Sequence, residues 1–139
     1  MLRSGKTFSN NNLKSFGHYK NLIGFNGNVI CGNINNNFDL SLLDDYKFDY
    51  IFHMAAISDT RVYDQEIIIQ TNVNSFYKLL KKVKNDKAVM IYASSAATYG
   101  SLASPQTVGI ESPENPYGFS KLLMDQIAYR FIDKNPGLT

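Results

Sequence analysis

A chain of 139 residues, 44% apolar and 19% charged, has the size and balance of one folded domain with a single core. Its net charge of +2 is too small to draw nucleic acid, and no apolar run approaches the roughly 18 residues that cross a bilayer. The start MLRSGKTFSNNN lacks the apolar stretch of a secretory signal, Cys31 stands alone, and two His with one Cys are too few for a structural zinc site. The expectation is a soluble cytoplasmic protein with neither disulfides nor metal.

Taken in chain order, residues 1–27 are polar and rich in Gly and Asn, with one short amphipathic piece, HYKNLIGF. Seven of the fifteen asparagines lie at Asn10–Asn12, Asn33 and Asn35–Asn37, which reads as compositional bias in loops. NVICGN is a brief apolar run closed by Gly and Asn, and predicts a strand. FDLSLLDDYK predicts a short helix with Asp39 in its first turn. FDYIFHMAAIS is continuously apolar and ends in small residues, the pattern of a strand buried on both faces. From 64 to about 84, Ile67, Ile68, Val73, Phe76, Leu79, Leu80 and Val83 follow a 3.6-residue period, with the lysines of YKLLKKVKNDK on the solvated face. AVMIYASS predicts a second buried strand. A loop of about 16 residues with Pro105, Pro113 and Pro116 follows, then a helix from Tyr117 to about Asp133, stopped by Pro136–Gly137. Strands alternating with helices imply an α/β fold, a Rossmann-like doubly wound parallel sheet in three layers. Ligands of such sheets lie beyond the carboxyl ends of the strands, which here read GNIN, HMAAIS and YASSAATYG, small or polar throughout.

Tyr117 and Lys121 stand four apart at the opening of the last helix and so share a face. An ammonium within about 5 Å of a phenol favours the phenolate, and a Tyr so placed can take a proton from a hydroxyl while hydride leaves the same carbon. The spacing alone decides little, because nine Tyr and eleven Lys yield about one such pair by chance, and Tyr77–Lys81 repeats it. Context separates the two. A strand ending in Ser94 and Ser95 leads toward Tyr117, whereas no strand tip leads into the helix of Tyr77. Ser94 has the alternative of a structural hydrogen bond, His53 that of a buried, bonded histidine, and Ala55 and Ala56 that of core. Asp59 and Thr60 suit either substrate contact or the cap of the next helix.

HMAAIS, TNVNS, YASSAATYG and NPYGFSK occur in the order and spacing of the extended short-chain dehydrogenase/reductase superfamily of sugar-nucleotide epimerases and dehydratases, which the chain resembles over nearly its whole length. YASSAATYG, SFGHYKNL and AISDT resemble in particular the members that epimerise ADP-heptose at carbon 6. The resemblance implies that Tyr117 is the catalytic acid/base, that Lys121 is its partner and bonds the nicotinamide ribose, and that Ser95 meets the substrate hydroxyl. It implies that Met54, Ala55, Ala56, Ile57 and Ser58 pass along the cofactor and that Asn72 bonds backbone beside it. Lys6 and Arg3 match residues that meet an adenosine 2′-phosphate, which favours NADP over NAD. Asn33 and Ile34 match the adenine-side strand tip, where the family has Asp in place of Asn33. The implied substrate is a nucleotide sugar, ADP-heptose, with its product entering lipopolysaccharide synthesis; the implied full-length form is a homo-oligomer, with no nucleic-acid or membrane partner.

The glycine-rich loop that seats a pyrophosphate is not found: Gly24, Gly27 and Gly32 have the wrong spacing and precede a strand rather than follow one. The resemblance covers only the middle of the family's chain. Its first strands and its sugar-binding half, with a second catalytic Lys, are expected outside these residues. The sequence is therefore expected to be a fragment, a partial NAD(P)-binding domain with open strand edges and little activity alone.

Overall fold

The computed structural model describes residues 22–138, so Arg3, Lys6 and most of SFGHYKNL lie outside the described residues. Its centre is a two-stranded parallel sheet: β1 (Tyr50–His53) pairs with β2 (Val89–Tyr92), Tyr50 opposite Val89 and His53 opposite Tyr92. Parallel neighbours require a crossover, and the chain supplies a helical one. It begins as α2 (Gln65–Ile68), widens into a π-helical stretch (Ile69–Asn74) and continues as α3 (Ser75–Asp86). Asp64 caps α2, its side chain accepting from the amide of Ile67 at 3.1 Å. Phe76, Leu79, Leu80 and Val83 are the buried stripe of α3, and Lys81 and Lys84 lie exposed as their positions predict. A short helix, α1 (Asn37–Ser41), precedes β1, with Asn36 as cap and Asp39 in its first turn.

The chain leaves β2 through a 3₁₀ turn (Ala96–Tyr99) and a long loop, and ends in α4 (Pro116–Asp133). Asn115 caps α4, accepting from the amide of Gly118 at 2.8 Å, and Pro116 takes the first turn, where its missing N–H costs nothing. Phe76, Leu80, Met124 and Ala128 form a core between α3 and α4, onto which Met90 and Tyr92 of β2 pack. The Phe76 ring stands 4.9 Å from that of Tyr92 and 5.7 Å from that of His53. The helices thus cover the face of the sheet that carries His53, Met90 and Tyr92.

Two expectations are corrected. NVICGN forms no strand; Asn33 makes only an isolated bridge, Val29 and Cys31 are exposed, and no extended run accompanies them. A brief apolar run becomes a strand only beside a partner. The run FDYIFHMAAIS is strand for four residues only and is buried on one face: Tyr50, Phe52 and Ile91, on the opposite side of the pleat, are 60%, 65% and 43% exposed. The three-layer arrangement is therefore present among the described residues as sheet and one helical layer. No described helix is long and apolar enough to cross a membrane.

Candidate active site at the carboxyl ends of the strands

Beyond Tyr92 the backbone stays extended to Ser95 (φ −155°, ψ 144°), which caps the 3₁₀ turn: its Oγ accepts from the amide of Ala97 at 3.2 Å. The hydroxyl hydrogen of Ser95 goes to none of the described residues. This turn abuts the start of α4 so closely that a Cβ on Gly118 would meet the carbonyl oxygen of Ala97 at 2.4 Å. The sequence needs glycine there, and the contact brings Tyr117 alongside the tip of β2.

Lys121, one turn further on, is buried, and its Nζ donates to the carbonyl of Ala93 at 2.8 Å and stands 5.9 Å from the ring centre of Tyr117. Burial pushes the Lys121 ammonium below its ordinary range, and the carboxylate of Asp125 opposes that push. Tyr77–Lys81 has a similar ring-to-ammonium distance, 4.9 Å, but Tyr77 is 46% exposed and Lys81 lies in solvent on α3. The second pair is a surface contact, as its context predicts.

Asn72 is fully buried in the π-helical stretch and joins three parts of the site. Its Oδ1 accepts from the amide of Ile57 at 2.8 Å, while its Nδ2 donates to the carbonyl of Ile57 at 3.1 Å and to Ser120 Oγ at 2.9 Å. Ser120 in turn donates to the carbonyl of Tyr117 at 2.7 Å. The widened helical turn, a feature common at functional sites, holds the segment after β1 against the first turn of α4. Along that segment Met54 and Ser58 are exposed and Ala55, Ala56 and Ile57 half-buried, so small residues lie where the strands end.

At the third tip, the Asn33 amide donates to Asp39 Oδ2 at 2.7 Å, and Asn35 Nδ2 donates to Thr71 Oγ1 at 2.9 Å, beside Asn72. Ile34 is buried as a whole residue, backbone included, at this tip. His53 is buried as expected, but its Nε2 has no hydrogen-bond partner among the described residues. Burial, then the nearby Lys121 charge, lowers the His53 pKa to about 4, so the ring is neutral. Asp59 does not cap the next helix, which Asp64 does; it forks onto Arg61 at 2.9 Å, and Thr60 is exposed. The Arg61 hydrogen bonds hold the Asp59 carboxyl at about 2. Ser94 Oγ donates to Asp125 Oδ2 at 2.6 Å, a structural bond as its alternative role predicts, although to a side chain and not to backbone. Ser120 and Asp125 escaped the sequence reading, where only their place in the helix after Tyr117 marked them.

The NAD dependent epimerase/dehydratase family matches residues 6–139. The chain belongs to that family. Over 81 residues, 58% of this chain and 24% of the relative, it is 41% identical to an ADP-L-glycero-D-manno-heptose-6-epimerase of Thiobacillus denitrificans. The crystal structure of the Helicobacter pylori ADP-L-glycero-D-manno-heptose-6-epimerase superposes with a TM-score of 0.78 and 52% identity, over 82% of this chain and 37% of that one. The UDP-glucuronic acid 4-epimerase of Bacillus cereus, in complex with NAD, is 27% identical with a TM-score of 0.66, over 84% of this chain and 39% of that one. The fold is thus the Rossmann-like fold of the family, and this chain spans about a quarter to two-fifths of the length of these relatives.

Proposed function

We propose that these residues carry the proton-transfer half of a nucleotide-sugar epimerase acting at carbon 6 of ADP-glycero-manno-heptose with NADP. The observation that supports it is the buried Lys121, its ammonium on the carbonyl of Ala93 at the end of the strand that leads to Ser95 and 5.9 Å from the ring of Tyr117, in a family member 52% identical to the Helicobacter pylori epimerase over the aligned part. The residues fit the nicotinamide end of the cofactor: Ala55 and Ala56 leave room for close approach, and Lys121 spends one of its three ammonium hydrogens on the described residues. Asn72 holds the cofactor-side segment in place, Asn33 and Ile34 lie at the adenine side, and Lys6 supplies the charge that favours NADP over NAD.

Bound NADP supplies a hydride acceptor and donor, so that a hydride taken from carbon 6 and returned to the opposite face inverts that centre without net redox change. Tyr117 takes the hydroxyl proton as the bond breaks and gives it back on return. Lys121 favours the ionised form of the phenol, and Ser95 donates its free hydroxyl hydrogen to the same substrate oxygen.

The test is turnover of ADP-D-glycero-D-manno-heptose by the native protein that contains these residues, followed by NMR at carbon 6. Tyr117→Phe should lower kcat by about 100-fold or more with the cofactor retained, whereas Tyr77→Phe should leave it unchanged. Undiminished epimerisation by Tyr117→Phe sinks the proposal, and turnover of a UDP-sugar in place of ADP-heptose corrects the substrate. The 139-residue chain alone, spanning 37% of the Helicobacter pylori enzyme, should bind NADP weakly.

A further inference from the structure

Three consecutive residues leading into Ser95 are fastened to α4, two of them by one side chain. Tyr92 and Ser94 alternate onto the same side of the extended chain. Tyr92 donates its phenolic hydrogen to Asp125 Oδ1 at 2.8 Å, and Ser94 donates its hydroxyl hydrogen to Asp125 Oδ2 at 2.6 Å. The carbonyl of Ala93, between them, takes Lys121 Nζ at 2.8 Å. Tyr117, Lys121 and Asp125 follow at intervals of four and lie on one stripe of α4. The carboxylate that holds the strand tip therefore belongs to the same helical face as the Tyr–Lys pair.

A carboxylate suits this place for two reasons. Only an ionised Asp offers two acceptor oxygens, one to each hydroxyl. Lys121 is 2% exposed, and among the described residues no carboxylate lies within 4.0 Å of its ammonium, so Asp125 is the anion that opposes its desolvation from one turn away. The titratable groups of the two strands beside Lys121 carry no negative charge to replace it. His53 of β1 is neutral, and Tyr92 of β2 is kept protonated by burial and by its bond to Asp125. Tyr117 shares the helix, Tyr99 is the titratable group of the 3₁₀ turn, and the π-helical stretch has none.

We propose that Asp125 is a positioning residue of this site: by clamping Tyr92 and Ser94 to α4, it sets the placement of the Ser95-bearing strand tip against Tyr117 and Lys121. The role assigned rests on reading Tyr117, Lys121 and Ser95 as the reacting groups; the clamp itself does not. A merely structural Asp125 would change stability and leave the state of Lys121 and the ratio of kcat to KM alone.

The test uses the native protein with lysine labelled at 13Cε, Lys121 being assigned by its loss in Lys121→Met. Asp125→Asn keeps the size and removes the charge. It should lower the titration midpoint of Lys121 and move the amide resonances of Ala93, Ser94 and Ser95. With ADP-glycero-manno-heptose, kcat should fall about 10- to 100-fold while KM stays within about twofold, the signature of misplaced reacting groups. Asp125→Glu should restore the Lys121 midpoint and part of kcat. Ser94→Ala, at an exposed position, removes one arm and should give a smaller fall in kcat and a shift of the Ser95 amide, so that a misfolded Asp125→Asn leaves the matter decidable. If Asp125→Asn or Ser94→Ala folds with unmoved tip amides, and Lys121 and kcat are as in the parent, the clamp is overturned while the epimerase reading stands. If the parent turns over no nucleotide sugar, the epimerase reading has failed, and the Lys121 midpoint and tip amides still decide the clamp.

Discussion

His53 shows how a single side chain carries both stability and electrostatics. Its ring lies stacked on Phe76 at 5.7 Å, its Nε2 is unpartnered among the described residues, and its pKa is lowered from 6.5 to about 4 by burial and then by Lys121. Because the folded value lies below the unfolded one, the unfolded chain binds the proton more readily between them. The stability this group contributes is present above pH 6.5 and is lost as pH falls toward 4, by roughly 3 kcal/mol in all. Urea unfolding followed from pH 7 to pH 4 should show this slope, and His53→Leu should flatten it; an equal slope in both proteins would refute the assignment. The burial of His53 was legible from its place in an apolar strand, and the shared face of Tyr117 and Lys121 from their spacing on a helix. Ser120 and Asp125 were not, because their bonds reach partners 48, 33 and 31 residues away, and no local pattern encodes a contact of that span.

The helices were the most readable elements. In the helical crossover the apolar residues repeat over several turns, so its period is overdetermined, and α4 carries its own start and stop signals in Pro116 and Pro136–Gly137. The π-helical stretch was not readable, since one widened turn leaves the surrounding period nearly intact while placing Asn72 at the centre of the site. NVICGN misled because a strand is a property of a pair and the run says nothing about its neighbour. Gly118 leaves no room for a Cβ beside the carbonyl of Ala97, and that defines a test. Gly118→Ala forces a Cβ to 2.4 Å from a backbone oxygen, so α4 must shift away from the 3₁₀ turn, at a cost of about 1–3 kcal/mol. Denaturant titration measures the loss, and a stability equal to the parent would mean that the helix and turn separate freely.

At the scale of the molecule, the decisive feature is a sheet that the described helices cover on one face. Tyr50, Phe52 and Ile91 present apolar surface, and β1 pairs only with β2 among the described strands. Exposed apolar strands at an open edge associate. The 139-residue chain should therefore sediment as concentration-dependent assemblies, and Phe52→Lys, which puts a charge on that face, should shift it toward monomer; equal association by both would exonerate the face. Alternation of strand and helix made the fold class legible, whereas which face lacks a cover depends on surface outside the strands themselves. The fastenings of the site have a property of their own: many end on main-chain atoms, Lys121 and Asn72 on the backbone of Ala93 and Ile57, Gly118 against the carbonyl of Ala97. A main-chain carbonyl is common to every amino acid, and an N–H to all but proline. Substitution by any residue but proline at positions 57, 93 or 97 leaves these anchor points chemically unaltered, so the strand tips are free to drift in sequence while α4 and the helical crossover keep their footing on them.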